Sequence, residues 1–166
     1  SNSVRLRVAH PSSSSSEELA NLMFSPSAAK IFYFGGSERY PEVVSQMQEY
    51  AKKYADTNPI AVRHIHEALG RYNHRSIKRI AVKDGKRTII TRKANYEAAV
   101  KHFEAAKEFV PGRKISALDN ISYNKLSLNL ADSYFKLGQK EKAVKSLNQT
   151  LEYFKERGVV KSVIED

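Results

Sequence analysis

The chain has 166 residues, enough for one domain with its own core, and 41% of them are apolar, close to the globular average. It contains no Cys, which excludes a disulfide framework, a thiolate metal site and a cysteine nucleophile, and fits an intracellular setting. The net charge of +10 is concentrated, because nine Lys/Arg and one acid, Asp84, fall between Arg71 and Lys93. This is one basic block on a near-neutral chain.

Residues 1–16 carry Arg5, Arg7 and five consecutive serines from Ser12 to Ser16, with no acid. Too few apolar groups are present to offset the entropy of ordering, so the segment is expected to be disordered. Its composition also matches the tail of a mitochondrial transit sequence. Structure is expected from Ser16-Glu17-Glu18, a cap followed by acids suited to a helix start. A break follows at Ser25-Pro26-Ser27, then a short helix over 28–34 stopped by Gly35-Gly36.

Pro41 to Tyr54 predicts a helix, with Val43, Val44, Met47, Tyr50, Ala51 and Tyr54 on one face and proline in the first turn, where its missing N–H costs nothing. Asn58-Pro59 precedes another helix over 61–73 that buries Ile65, Ala68, Leu69 and Tyr72. Residues 77–91 break the pattern. They are rich in β-branched side chains and centred on Asp84-Gly85, which predicts a basic β-hairpin with Ile80 opposite Ile89 and Val82 opposite Arg87. One face then carries Ile80, Val82 and Ile89, the other Arg79, Lys83 and Lys86. Three helical stretches follow, over 95–110, 116–137 and 140–157, punctuated by Pro111-Gly112, Gly138 and Gly158. A tail from Val159 to Ile164 is expected to cap the exposed end.

The second half repeats imperfectly. Ala99-Val100-Lys101 recurs as Ala143-Val144-Lys145, followed respectively by Phe103 and Ala106 and by Leu147 and Thr150. Leu130, Ala131 and Tyr134, then Gly138, then Ala143, Leu147 and Thr150 stand at the spacing of a tetratricopeptide repeat, which this part of the chain resembles. Ala99, Phe103, Ala106 and Pro111 match the second helix of a preceding repeat, whose first helix would be His66 to Asn73 with Leu69-Gly70. The chain departs from the family at Ser127, where a bulky residue is usual, and at the hairpin, which stretches a loop. The implied fold is all-α: antiparallel helix pairs stacked as a tetratricopeptide-like superhelix over 17–166, with one inserted basic hairpin.

The resemblance implies a scaffold that binds a partner protein along the groove lined by first-helix side chains, here Lys125, Leu128, Asn129, Asp132, Phe135 and Lys136. Lys125 and Asn129 stand where some members grip a C-terminal carboxylate, but His64 and Ala68 at the corresponding places in the preceding repeat do not complete such a clamp. The Arg/Ser-rich start, the high charge and the degenerate repeats also resemble mitochondrial tetratricopeptide-like scaffolds, some of them membrane-anchored, which implies a mitochondrial location, with the cytoplasm as the alternative.

The basic hairpin, with Arg79, Lys83, Lys86 and Arg87, is a second candidate surface. It suits RNA phosphates, anionic lipid headgroups, an acidic protein patch or a second copy of the chain, or is simply solvated. A ribonucleoprotein-associated repeat protein is therefore the alternative function. Residues 75–93 contain no aromatic for base stacking, which weighs against sequence-specific RNA recognition. No nucleophile elbow, phosphate loop or zinc-protease motif is present. His64 and His66 point in different directions on a helix and are read as surface or groove histidines. No catalytic residue, metal or cofactor is expected.

Overall fold

The structure is a computed structural model that describes residues 13–36, 39–109 and 117–157. The expectations for residues 1–12, for Pro111-Gly112, Ser116 and Gly158, and for the tail from Val159 lie outside what it describes. The described chain is mostly helical with one small antiparallel sheet. Its elements run α1 Ser14–Phe24, α2 Pro26–Phe34, α3 Pro41–Lys53, α4 Pro59–His74, β1 Ile77–Lys83, β2 Lys86–Arg92, α5 Tyr96–Glu108, α6 Ala117–Lys136 and α7 Lys140–Glu156.

Local chemistry sets the helix starts. Proline occupies the first turn of α2, α3 and α4, and Asn58 and Asn95 cap α4 and α5 by accepting from Ala61 N and Ala98 N, as short polar side chains do for unpaired first-turn amides. One expectation is corrected here. Helix α1 is capped by Ser13 rather than Ser16, because Ser13 Oγ accepts from Ser16 N. Tyr50 of α3 also donates to Ser15 O at 2.7 Å. Ser14 to Ser16, expected to be disordered, are thus the first turn of a helix.

Two cores flank α4. On one side Ala28, Ile31 and Phe32 of α2 and Met47, Tyr50 and Ala51 of α3 pack with Ile65, Ala68, Leu69 and Tyr72 of α4. The other core joins Ala99, Phe103 and Ala106 of α5, Tyr123, Leu126, Leu130 and Tyr134 of α6, and Ala143 of α7. Helix α5 runs back along α4. Asn95 N donates to Asn73 O at 2.8 Å, Phe103 lies against Gly70, and His102 meets His66. The approach is close because Gly70 has no side chain: a Cβ built there would stand 2.3 Å from the Phe103 ring.

Helix α6 lies beside α4 in the same direction. Ser122 contacts Arg63 and Glu67 at one end, and Ser133 contacts His74 at the other. Helix α7 folds back on α6 through the turn at Leu137-Gly138-Gln139, so that Tyr123 stacks on Tyr153 at 4.0 Å and Lys142 lies over the Tyr134 ring.

The two strands pair in the register expected from the sequence, with Ile80 opposite Ile89 and Val82 opposite Arg87, and extend one residue further, to Arg92. Asp84 (φ 51°) and Gly85 (φ 73°) both take left-handed backbone, which matches the right-handed twist of the strands they join. Arg92 ties the hairpin base to the body. It is 5% exposed, donates to Tyr72 O, to Gly35 O at 3.2 Å and to Gly36 O at 3.0 Å, and stacks its guanidinium on the Tyr72 ring.

Candidate functional site

The parallel placement of α4 and α6, with α2 alongside, leaves an open cleft of about 540 Å³. Three of the residues expected in the groove line it: Lys125, Leu128 and Asn129 of α6. The opposite walls come from Phe32 and Tyr33 of α2, from Glu67 and Arg71 of α4 and from Arg75 just after it. Asp132 lies beside the cleft, its Oδ2 3.2 Å from His74 Nε2. Phe135 and Lys136 are exposed farther along α6 and are not among the lining residues. They extend its outward face, with Leu128 52% and Phe135 57% exposed.

The cleft is cationic for a traceable reason. Its acid, Glu67, is buried and already paired: Arg63 Nε donates to Oε1 at 2.9 Å, and Ser122 Oγ donates to the same carboxylate at 3.2 Å. Burial pushes the Glu67 carboxyl up, but His64 and Arg63 outweigh it and hold the group below its ordinary value. Arg71 reaches back to Phe32 O at 3.3 Å, and Arg75 to Phe34 O at 3.4 Å. With Lys125 they leave three cations facing one neutralised acid.

Sequence reasoning missed the α2 and α4 contributions. Glu67 and Arg71 are four residues apart, so their shared helix face could have been read from spacing, whereas Arg75 lies just past the end of α4. The Tyr33 wall had no such signal. A larger, more open depression of about 820 Å³ runs along the outer side of α7, past Tyr123, Val144 and Tyr153. It coincides with none of the expected groove residues.

On the hairpin, Lys86 and Arg87 are exposed, while Arg79 and Lys83 are placed by register opposite Ile90 and Lys86. Pleat alternation puts Lys78, Ile80, Val82, Arg87, Ile89 and Thr91 on one face. That face is open: Ile80, Val82 and Ile89 are 66, 68 and 61% exposed. Ile77, Ala81, Ile90 and Arg92, on the other face, are half-buried or buried.

Of the histidines expected at the surface or in a groove, His64 is exposed, whereas His66 and His74 are half-buried. His64 is exposed beside Glu67. His66 is half-buried and meets buried His102 of α5, the two Nδ1 atoms 3.1 Å apart, so one ring donates to the other. His66 also stacks on Phe109. Burial lowers the pKa of both, and the neighbouring His66 and Lys101 lower His102 further, to about 4. His74 is fixed between Ser133, Asp132 and Tyr96. His102 entered no sequence-based grouping, because the helix pairing that brings it to His66 spans the hairpin. Among the described residues no three of His, Asp and Glu converge to hold a metal ion, and no helix is long and apolar enough to cross a membrane.

Comparison with protein-family models, with curated proteins and with solved structures finds no match.

Proposed function

We propose that this chain is a non-catalytic, tetratricopeptide-like interaction scaffold that holds a segment of a partner protein in the cleft between α2, α4 and α6. The observation that carries this reading is the parallel adjacency of α4 and α6. Adjacent first helices of successive repeats would be related in this way, with α5 and α7 as the second helices that fold back on them. The Gly70–Phe103 contact supports it further, as the small-against-aromatic packing that such repeats use. The cleft itself supplies both kinds of anchor a bound segment needs: exposed apolar surface at Tyr33 and Leu128, and cations at Arg71, Arg75 and Lys125. Its charge favours a partner segment carrying acids next to an apolar anchor.

The test is affinity capture with the purified chain, washed in parallel at low and high salt, with proteins and RNA both identified. A discrete protein that survives high salt, and is lost when Leu128 and Tyr33 are changed to Ser, supports the reading. Recovery of RNA alone, vanishing with salt and with Lys86→Glu/Arg87→Glu, overturns it, since phosphate-driven affinity falls by orders of magnitude over that range.

A further inference from the structure

The exposed face of the hairpin is left unused by that reading. Three β-branched side chains, Ile80, Val82 and Ile89, stand together on it, each more than 60% exposed. Clustered apolar surface of this kind on a soluble domain marks a contact surface. The strands make their extensive contacts with each other, and on the opposite face Ile77, Ala81 and Ile90 are half-buried and Arg92 is buried at the base.

The surroundings of the trio narrow its occupant. Residues 77–93 hold seven Lys/Arg and a single acid, Asp84 at the turn. Lys78 and Arg87 share the apolar face by register. A second copy of the hairpin would bring like charge against like charge, which disfavours self-association there. RNA would match the charge but leave the aliphatic trio in water, and the segment has no aromatic for bases to stack on. A bilayer with anionic headgroups satisfies both features. Its surface is negative for Lys78 and Arg87, and its acyl boundary accepts Ile80, Val82 and Ile89, while the long basic side chains keep their charges at headgroup level.

We infer that the hairpin is a membrane-surface contact: its Ile80/Val82/Ile89 face enters the headgroup–acyl boundary of an anionic bilayer, with the surrounding Lys and Arg on the headgroups. It lies flat on one leaflet rather than spanning, as seven-residue strands are too short to cross. The inference is independent of the cleft.

The chain has no Trp, so Val82→Trp supplies a single fluorophore on an exposed position. Titration of the full chain with vesicles of phosphatidylcholine and phosphatidylglycerol is expected to shift its emission to the blue, and brominated acyl chains to quench it. Pure phosphatidylcholine vesicles should do neither. A Leu128→Trp probe in the cleft should stay unshifted. In co-sedimentation, Ile80→Ser/Val82→Ser/Ile89→Ser and, separately, Lys78→Glu/Arg87→Glu should each weaken binding by about tenfold or more. The inference is overturned if anionic vesicles leave the Val82→Trp emission unchanged. It is also overturned if the serine variant binds vesicles as well as the parent, or if single-stranded RNA or an acidic peptide binds the hairpin while vesicles do not.

Discussion

The ring of Phe103 fills the space that a side chain on Gly70 would need, with its Cε1 2.3 Å from where a Cβ would stand. Phe103 is 1% exposed and has little room to retreat. Gly70→Ala should lower stability by up to about 2 kcal/mol, since overpacking costs about 1–3 kcal/mol and Ala regains roughly 1 kcal/mol of helix propensity. Shortening the ring should reverse the sign, so Gly70→Ala made in a Phe103→Leu background is expected to be neutral or stabilising. Urea denaturation of the four proteins in the cycle measures the coupling, and strict additivity would contradict the contact.

The Arg63–Glu67 pair is almost wholly buried between α4 and α6. Glu67→Ala leaves a buried guanidinium without its carboxylate and should cost about 3–5 kcal/mol. Replacing both partners by apolar residues, Arg63→Met with Glu67→Leu, should come within about 1 kcal/mol of the parent. Thermal or urea unfolding checks this. Equal losses in the single and double variants would show that the charge pair is not what the site needs.

Burial of His102, with His66 and Lys101 beside it, makes stability depend on pH. An unfolded imidazole titrates near 6.5, whereas His102 in the fold is held to about 4. Between those values the unfolded chain binds a proton that the folded chain refuses, so its contribution is complete above about pH 6.5 and is lost as pH falls toward 4. The shortfall at pH 5 should be about 2 kcal/mol. His66 and His74, also lowered by burial, act in the same direction. Urea midpoints at pH 7 and pH 5 test the sign, and His102→Gln should flatten the dependence.

Arg92 supplies the donors for three backbone carbonyls drawn from α4 and from the Gly35-Gly36 turn. Arg92→Ala should cost about 2–3 kcal/mol through those unpaired acceptors. Arg92→Lys should rescue little of it, because a single ammonium cannot reproduce the planar fork or stack on Tyr72. Amide hydrogen exchange is expected to speed up over 77–92 and at Gly35 and Gly36, with α7 unaffected. Uniform acceleration across the chain would point to general destabilisation instead.

The sequence by itself determined the features set within a few residues of one another. Helix limits followed from Pro41, Pro59, Asn58 and Gly138, and the hairpin register followed from Asp84-Gly85, because capping, φ restriction and turn geometry act locally. Ser13 rather than Ser16 starting α1 shows the limit even there: serines in a run offer the same cap, and Ser15 O is met by Tyr50 of a helix distant in sequence. Of the cleft, the sequence pointed to the α6 side alone, where the tetratricopeptide resemblance implied Lys125, Leu128 and Asn129. Its other walls depended on tertiary structure, as did the His66–His102 pair, whose members are 36 residues apart in sequence, and the Arg92 clamp. Alternation placed Ile80, Val82 and Ile89 on one face of the hairpin, but it could not say that Arg92, on the other face, would be buried at the base. That depends on where its guanidinium finds the carbonyls of Tyr72, Gly35 and Gly36, a matter of how α2 and α4 pack, which no local pattern encodes.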